Sequence, residues 1–280
     1  MRTDSRKDTR RLVTLAVLIA AIAVCIYSAY NITVILAEDA SSSEVTQAAR
    51  SFTHTAAPGE IPAAPAGAVV LEAPGEPVRE TLSPQEPEAG PAYLVVDFDG
   101  LAEINSDVRA WIDIPGTDVS YPVVQTADDE YYLSHSFDGR SNRAGSIFLD
   151  SRSDSSLTGR NTVIYGHRMN NGSMFGSLNR LSGAAYRREH EYIHLYIPGA
   201  ALPLTYQIFA TWESPSSLDS LAYQVDFPDA DAYSEWLNDL ESRSFLTDLT
   251  LSPDDQILTL STCVRGDGDT RFIVAARLLQ

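Results

Sequence analysis

The sequence predicts a mainly β globular domain, a barrel with helices added at its edge, behind a membrane helix and a disordered linker. Three observations support this prediction. Residues 12–37 form an uncharged apolar run, residues 38–92 are rich in Ala, Pro and Glu, and residues 93–280 contain many short segments of high β propensity. The last stretch has the size of one ordinary domain.

The N-terminal segment predicts a single membrane anchor. About 20 apolar residues span a bilayer as a helix, and residues 12–37 exceed that length without a charge. Residues 1–11 hold five basic side chains, whereas Glu38 and Asp39 follow the run. Because basic residues favour the cytoplasmic side, we expect a cytoplasmic tail at 1–11 and the rest of the chain outside the cell. The alternative is a cleaved signal peptide, but no small-residue cleavage site follows directly.

Residues 38–92 are interpreted as an extracellular linker. They hold eight of the 15 prolines, few aromatics and no persistent apolar period. Such a composition cannot bury enough apolar surface to offset the entropy lost on ordering, and proline favours extended conformations. We therefore predict a disordered spacer in front of the domain at 93–280.

The domain is expected to open with a short amphipathic helix, because Phe98, Leu101, Ile104 and Val108 recur at helical spacing up to Trp111. Short runs rich in β-branched and aromatic residues follow, separated by turn residues. Many short strands in one domain favour a barrel or a sandwich. The predicted strands are residues 119–125, 146–150, 161–167, 192–198, 204–212, 256–263 and 271–279.

Two helical segments, 172–181 and 229–246, interrupt these strands. In the second segment four apolar residues fall on one helix face. Asp229 or Asp231 is placed to cap its N-terminus.

Charge and cysteine content narrow the functional class. The formal net charge of −18 argues against a nucleic-acid partner, because phosphate binding needs a basic face. The two cysteines are Cys25, within the apolar run, and Cys263, so a disulfide between them is not expected. An unpaired thiol outside the cell is open to oxidation, which suggests that Cys263 has a use.

Three polar residues lie at predicted strand ends. Cys263 ends one strand before a polar, glycine-containing loop, although a buried structural cysteine is the common alternative. His167 ends another, and histidine is the side chain best suited to proton transfer near neutral pH. Arg271 begins the last strand, so a hairpin would bring it to Cys263, where a cation lowers a thiol pKa and stabilises an oxyanion. His135 is a rival candidate to His167, and Arg265 is a rival candidate to Arg271. No His/Cys spacing in the sequence resembles a zinc site.

These segments resemble the sortases. TLSTC at 259–263, followed by Arg271, resembles the sortase signature TLxTC…R, and NTVIYGH at 161–167 resembles the segment with the sortase histidine. The resemblance to class B sortases covers essentially all of 93–280. The further segments that carry it are residues 111–125, 129–150, 174–178 and 229–246.

The resemblance implies a closed, mostly antiparallel barrel of about eight strands with an inserted helix before the last strands. It implies Cys263 as nucleophile, His167 as general acid/base and Arg271 as the group that stabilises substrate and oxyanion. Thr262 and Ser261 would help to shape the pocket. No metal or organic cofactor is needed for this chemistry.

The implied activity is transpeptidation. Cys263 would form a thioester with a threonyl carbonyl in the C-terminal sorting motif of a secreted protein, and an amine of peptidoglycan precursor or pilin would resolve it. A cysteine peptidase would use the same groups with water as the final nucleophile. A non-catalytic cell-surface binding module is a third reading, since fold alone does not fix function.

Overall fold

The computed structural model describes residues 3–57, 93–217, 220–264 and 267–279, which divide into two compact units, Met1–Glu44 and Val45–Gln280. The first unit is the N-terminal part of helix α1 (Thr3–Arg50). Its apolar side chains from Val13 onward are largely exposed, and the helix is long and apolar enough to cross a membrane.

The disordered linker predicted for residues 38–92 is wrong over residues 38–57. Helix α1 continues to Arg50, and strand β1 (Thr53–Thr55) pairs antiparallel with strand β2 (Leu94–Val96). The physical reason is composition, because all eight prolines of the predicted linker lie at residue 58 or beyond, and the part before them is free to remain helical. Residues 58–92 lie outside the described residues.

The end of α1 belongs to the same unit as the barrel. Ala49 is 1% exposed and packs in an apolar cluster with Leu101 and Trp111. The Arg50 guanidinium donates hydrogen bonds to the backbone oxygens of Ser120 at 3.1 Å and Asp118 at 2.9 Å. The globular unit therefore begins near residue 45 rather than at residue 93.

Helix α2 (Phe98–Ile104) forms as predicted but ends earlier, so the prediction of a helix reaching Trp111 is wrong. The side chain of Asn105 donates to the hydroxyl of Tyr132 at 2.7 Å and to the carbonyl of Phe137 at 2.6 Å, contacts that fix the chain as it leaves the helix. The residues that follow form strand β3 and become a wall of the barrel.

Eight strands close into a barrel, which confirms the predicted fold class. They are β3 (Val108–Asp113), β4 (Ser120–Val124), β5 (Ile147–Leu149), β6 (Asn161–Tyr165), β7 (Tyr192–Tyr196), β8 (Leu204–Pro215), β9 (Ile257–Val264) and β10 (Asp267–Leu278). Their order around the barrel is β10-β8-β7-β3-β4-β5-β6-β9. Pairing is antiparallel except for β4–β5 and β6–β9, which are parallel. Apolar side chains that point inward fill the interior, as expected for a small barrel.

The helix predicted at 172–181 is wrong over most of its length. Residues 172–177 form turns, followed by a 3₁₀ helix at Leu178–Ser182 and helix α3 (Ala184–Glu189). Met174 has a positive φ of 56°, and its backbone N–H donates to the Tyr121 hydroxyl at 2.9 Å. A Cβ at Gly176 would lie 2.7 Å from the Met169 carbonyl oxygen, so the chain folds back too tightly for a helix.

Helix α4 (Ala230–Glu241) lies within the helix predicted at 229–246. Asp229 caps it, since its side chain accepts a hydrogen bond from the Ala232 N–H at 2.8 Å. Its buried face packs against strand β8, and the Trp236 indole donates to the Leu221 carbonyl at 2.9 Å. The helix thereby supports the segment that leads into the Leu221–Tyr223 turn.

Candidate active site

Strands β9 and β10 form the predicted hairpin, and Cys263 lies directly opposite Arg271 in its register. Side chains of directly opposed residues in an antiparallel pair share one face. The Arg271 guanidinium also donates to the carbonyl oxygens of Gly268 at 2.6 Å and Thr270 at 3.3 Å, which hold it at the hairpin end. The hairpin therefore places a cation beside the half-buried thiol.

His167 reaches the same site from strand β6. This strand ends at Tyr165, which pairs with Ser261 of β9, and the N–H of Gly166 donates to the Ser261 carbonyl at 3.2 Å. The His167 Nε2 lies 2.7 Å from the Leu133 carbonyl oxygen. Because a carbonyl only accepts, Nε2 carries the hydrogen, and Nδ1 is left for the hydrogen bond that the imidazole makes with Cys263.

The electrostatics of the site favour a charged thiolate–imidazolium pair. The hydrogen bond to His167 is the main cause that lowers the pKa of Cys263; burial opposes it, and the guanidinium of Arg271 lowers it further. The same hydrogen bond is the main cause that raises the pKa of His167, although burial opposes this shift too. The two pKa values move toward each other, and the thiolate is the nucleophilic form of cysteine.

A cavity of about 260 Å³ opens at these residues. All five residues singled out from the sequence line it: Cys263, His167, Arg271, Thr262 and Ser261. It is also lined by residues that the sequence analysis did not single out, among them Asp129, Leu133, Tyr165 and Tyr223. The arrangement brings a thiol, an imidazole and a guanidinium together in one solvent-accessible pocket, and these are groups that covalent acyl transfer can use.

Thr262 and Ser261 contribute to the wall rather than to an open surface. Ser261 is 2% exposed, and its hydroxyl lies 2.9 Å from the hydroxyl of Tyr223. Thr262 is 1% exposed, and within the described part of the chain its hydroxyl has no hydrogen-bond partner.

The rival residues lie elsewhere. The His135 ring stacks on the Tyr131 ring with centroids 4.0 Å apart, and its Nδ1 is 2.7 Å from the Tyr131 carbonyl oxygen. Arg265 lies outside the described residues. The geometry therefore brings His167 and Arg271, and not His135, to the thiol.

Among these cavity-lining residues that the sequence analysis did not single out, only Tyr165 could have been found from the local sequence pattern. It lies two positions before His167 in the predicted strand 161–167, and alternation along such a strand predicts that both side chains lie on one face. Leu133 and Asp129 come from the segment that follows β4, which the barrel brings to the cavity. Gly145, at a φ of +59°, lets that segment pack closely, because a Cβ there would lie 2.4 Å from the Tyr132 carbonyl oxygen.

Comparisons with known proteins identify the family of the chain. The model of the Sortase domain family matches residues 112–279. Sortase B of Listeria monocytogenes is 34% identical over 164 residues, which are 58% of this chain and 65% of that protein. The crystal structure of Clostridium perfringens sortase B is 31% identical with a TM-score of 0.61, and the match covers 66% of this chain and 100% of that one. The Staphylococcus aureus sortase B–substrate complex is 27% identical with a TM-score of 0.59, over 65% of this chain and 84% of that one.

The chain spans 65% of the Listeria protein, slightly less than two thirds of its length. The match to the family model, residues 112–279, covers nearly all of the closed barrel. The match to the family model covers more than half of the chain, and it includes Cys263, His167 and Arg271. The resemblance inferred from the sequence motifs is therefore confirmed: the chain belongs to the sortase family of cysteine transpeptidases, and the relatives it matches are sortases of class B.

Proposed function

We propose that this chain is a class B sortase transpeptidase that uses Cys263 as nucleophile, His167 as general acid and base, and Arg271 to stabilise the oxyanion. One observation carries the proposal: Cys263 is hydrogen-bonded to His167 and lies opposite Arg271 in a single cavity. Any of these groups alone has an ordinary structural explanation, but their convergence does not.

In the first half-reaction the Cys263 thiolate attacks the threonyl carbonyl carbon of a sorting motif, forming a C–S bond. The negative charge that develops on the carbonyl oxygen is stabilised by the Arg271 guanidinium. As the intermediate collapses, the C–N bond to the next residue breaks, and the His167 imidazolium gives its proton to the departing amine. The products are a thioester on Cys263 and the released C-terminal peptide.

In the second half-reaction an acceptor amine attacks the thioester carbonyl. Neutral His167 removes a proton from the attacking nitrogen, the C–S bond breaks, and the thiolate of Cys263 returns with the imidazolium beside it. A new amide replaces the one that was cut, so no external energy source is required. Splitting the exchange into two steps through a covalent intermediate lowers the barrier of each.

The partners follow from this chemistry. The donor would be a secreted protein with a C-terminal sorting signal, and the acceptor an amine of peptidoglycan precursor or pilin. The relative from Staphylococcus aureus was solved as a substrate complex, which supports substrate binding in this cavity. We propose that α1 remains as a single-pass anchor in the cell membrane, with the N-terminus in the cytoplasm and the catalytic unit outside, because Arg2, Arg6, Lys7, Arg10 and Arg11 precede the apolar stretch.

The test uses the full-length chain in detergent, incubated with a panel of peptides that carry threonine at the scissile position, with and without hydroxylamine as acceptor. Intact-protein mass spectrometry should show an acyl adduct on the wild type and on Cys25→Ala, the matched control. Cys263→Ala should form no adduct and keep the circular dichroism spectrum of the wild type.

An adduct on Cys263→Ala would contradict the assignment of the nucleophile. Equal hydrolysis with and without hydroxylamine, and no hydroxamate product, would identify a cysteine peptidase. Loss of folded structure in Cys263→Ala would support a purely structural cysteine.

A further inference from the structure

A buried carboxylate lies behind the wall of the active-site cavity. Asp150 directly follows β5, and its side chain is completely inaccessible to solvent. It accepts hydrogen bonds from the Arg152 guanidinium, Nε to Oδ1 at 3.0 Å and Nη2 to Oδ2 at 2.7 Å, and from the Arg152 N–H at 2.9 Å. Removing a charge from water is costly unless it is paired and hydrogen-bonded. A fully paired carboxylate at this position therefore calls for an explanation beyond stability.

One connection runs from Asp150 to the strand of the histidine. The Tyr165 hydroxyl donates to Asp150 Oδ2 at 2.6 Å. Burial raises the pKa of this phenol, and the neighbouring Asp150 carboxylate raises it further, so the hydroxyl remains a donor over the working range of pH. Tyr165 lines the cavity, is the last residue of β6 and lies two residues before His167.

The second connection runs to the strand of the nucleophile. The Arg152 Nη2 that contacts Asp150 also donates to the Tyr223 carbonyl oxygen at 3.2 Å. The Tyr223 hydroxyl lies 2.9 Å from the hydroxyl of Ser261, which is two residues before Cys263 on β9. Tyr223, like Tyr165, lines the cavity. One ion pair thus reaches both aromatic walls of the pocket.

We infer that the Asp150–Arg152 ion pair is a positioning element that holds the Tyr165 and Tyr223 walls at the spacing that a bound peptide requires. It acts on substrate placement and not on the thiol, because its hydrogen bonds go to Tyr165 and Tyr223 and not to Cys263 or His167. This inference rests on the proposed function, since it assumes that a peptide occupies the cavity. A wall displaced by about 1 Å can cost on the order of a hundredfold in rate, because reacting groups must meet in a narrow range of geometry.

The test compares two labels on Cys263 in the full-length Cys25→Ala background. Iodoacetamide needs only the thiolate, whereas a peptidyl chloromethyl ketone ending in threonine must also seat between the two walls. Asp150→Asn keeps the size of the side chain but removes its charge. We expect it to slow peptidyl labelling by about tenfold to a hundredfold, with the rate and pH profile of iodoacetamide labelling unchanged.

Two further variants keep the inference falsifiable should Asp150→Asn fold poorly. Tyr165→Phe removes a single hydrogen bond from the wall and should slow peptidyl labelling by about two- to tenfold. Asp138→Asn is the matched control, because Asp138 and Arg140 form an ion pair of the same sequence spacing, with Nε 3.2 Å from Oδ2, whose arginine is exposed. It should leave both rates unchanged.

The inference is overturned if Asp150→Asn and Tyr165→Phe both label at the wild-type rate with the peptidyl reagent. It is also overturned if both labels slow together with a loss of thermal stability, which would indicate a purely structural ion pair. Failure of the proposed function would be seen separately, as a wild-type chain that labels normally with both reagents but makes no hydroxamate from peptide and hydroxylamine.

Discussion

The substitution Gly166→Ala tests whether close packing beneath the active site sets its geometry. Gly166 lies between Tyr165 and His167, and a side chain at this position would point into the core of the barrel. A Cβ built there would lie 2.4 Å from Cδ1 of Ile147 and 2.7 Å from Cδ2 of Phe175. Ordinary carbon contacts are about 3.5–4.0 Å, so the backbone or the core must shift by about 1 Å. Ile147 and Phe175 are both buried and cannot yield freely.

The expected magnitude follows from this overlap. Overpacking of a well-filled core costs about 1–3 kcal/mol, which for a domain of this size lowers the Tm by about 2–12 °C. Displacement of His167 by about 1 Å would also slow acyl-enzyme formation on the order of a hundredfold. Differential scanning calorimetry measures the first effect, and the mass-spectrometric adduct assay measures the second.

Two further variants serve as controls for this experiment. Gly159→Ala is the control, because its nearest neighbour would be 3.7 Å away, an ordinary contact. Adding Ile147→Val to Gly166→Ala removes the atom at 2.4 Å and should recover part of the lost stability, although Ile147→Val alone costs about 0.5–1.5 kcal/mol. If Gly166→Ala matches Gly159→Ala in both Tm and rate, the packing argument is refuted.

Three further predictions follow from the site and the fold. His167→Ala removes the main cause that lowers the pKa of Cys263, so the curve of iodoacetamide labelling against pH should move to higher pH; an unchanged curve would contradict the hydrogen bond. Arg271→Ala should slow acyl-enzyme formation on the order of 10²–10³-fold, and Arg271→Lys should recover only part because it lacks the planar fork. A chain that begins at residue 93 should be less stable to urea than one that begins at residue 45 by at least about 0.8 kcal/mol, the contribution of one buried methyl group; equal stability would contradict the packing of Ala49.

The sequence predicted the barrel well because its strands carry strong local signals. Six of the seven predicted β runs end within two residues of the end of a barrel strand. The exception is β8, which continues beyond its predicted run to Pro215. Strand β10 begins earlier than predicted, at Asp267. The Cys263–Arg271 pairing was also predictable, since a short polar loop between two β-rich runs implies a hairpin.

The errors arose where tertiary contacts override local pattern. The apolar spacing from Phe98 to Val108 suits a helix. In the structure the helix ends before Asn105, whose side chain contacts Tyr132, and the residues from Val108 onward form strand β3. Asp129 and Leu133 reach the cavity from a segment far from Cys263 in the sequence, and only barrel closure brings them there. The hydrophobic periodicity of a single sequence gives no information about such long-range contacts.

The pairing of β1 with β2 has a consequence for proteolysis. Residues 58–92 connect the two strands in the sequence, and both strands belong to the globular unit. A single break of the chain between β1 and β2 would therefore leave two fragments that stay associated, through the β1–β2 pairing and the cluster around Ala49. A denaturing gel would show two bands while gel filtration shows one particle, so limited cleavage here would not release the catalytic unit from its N-terminal helix.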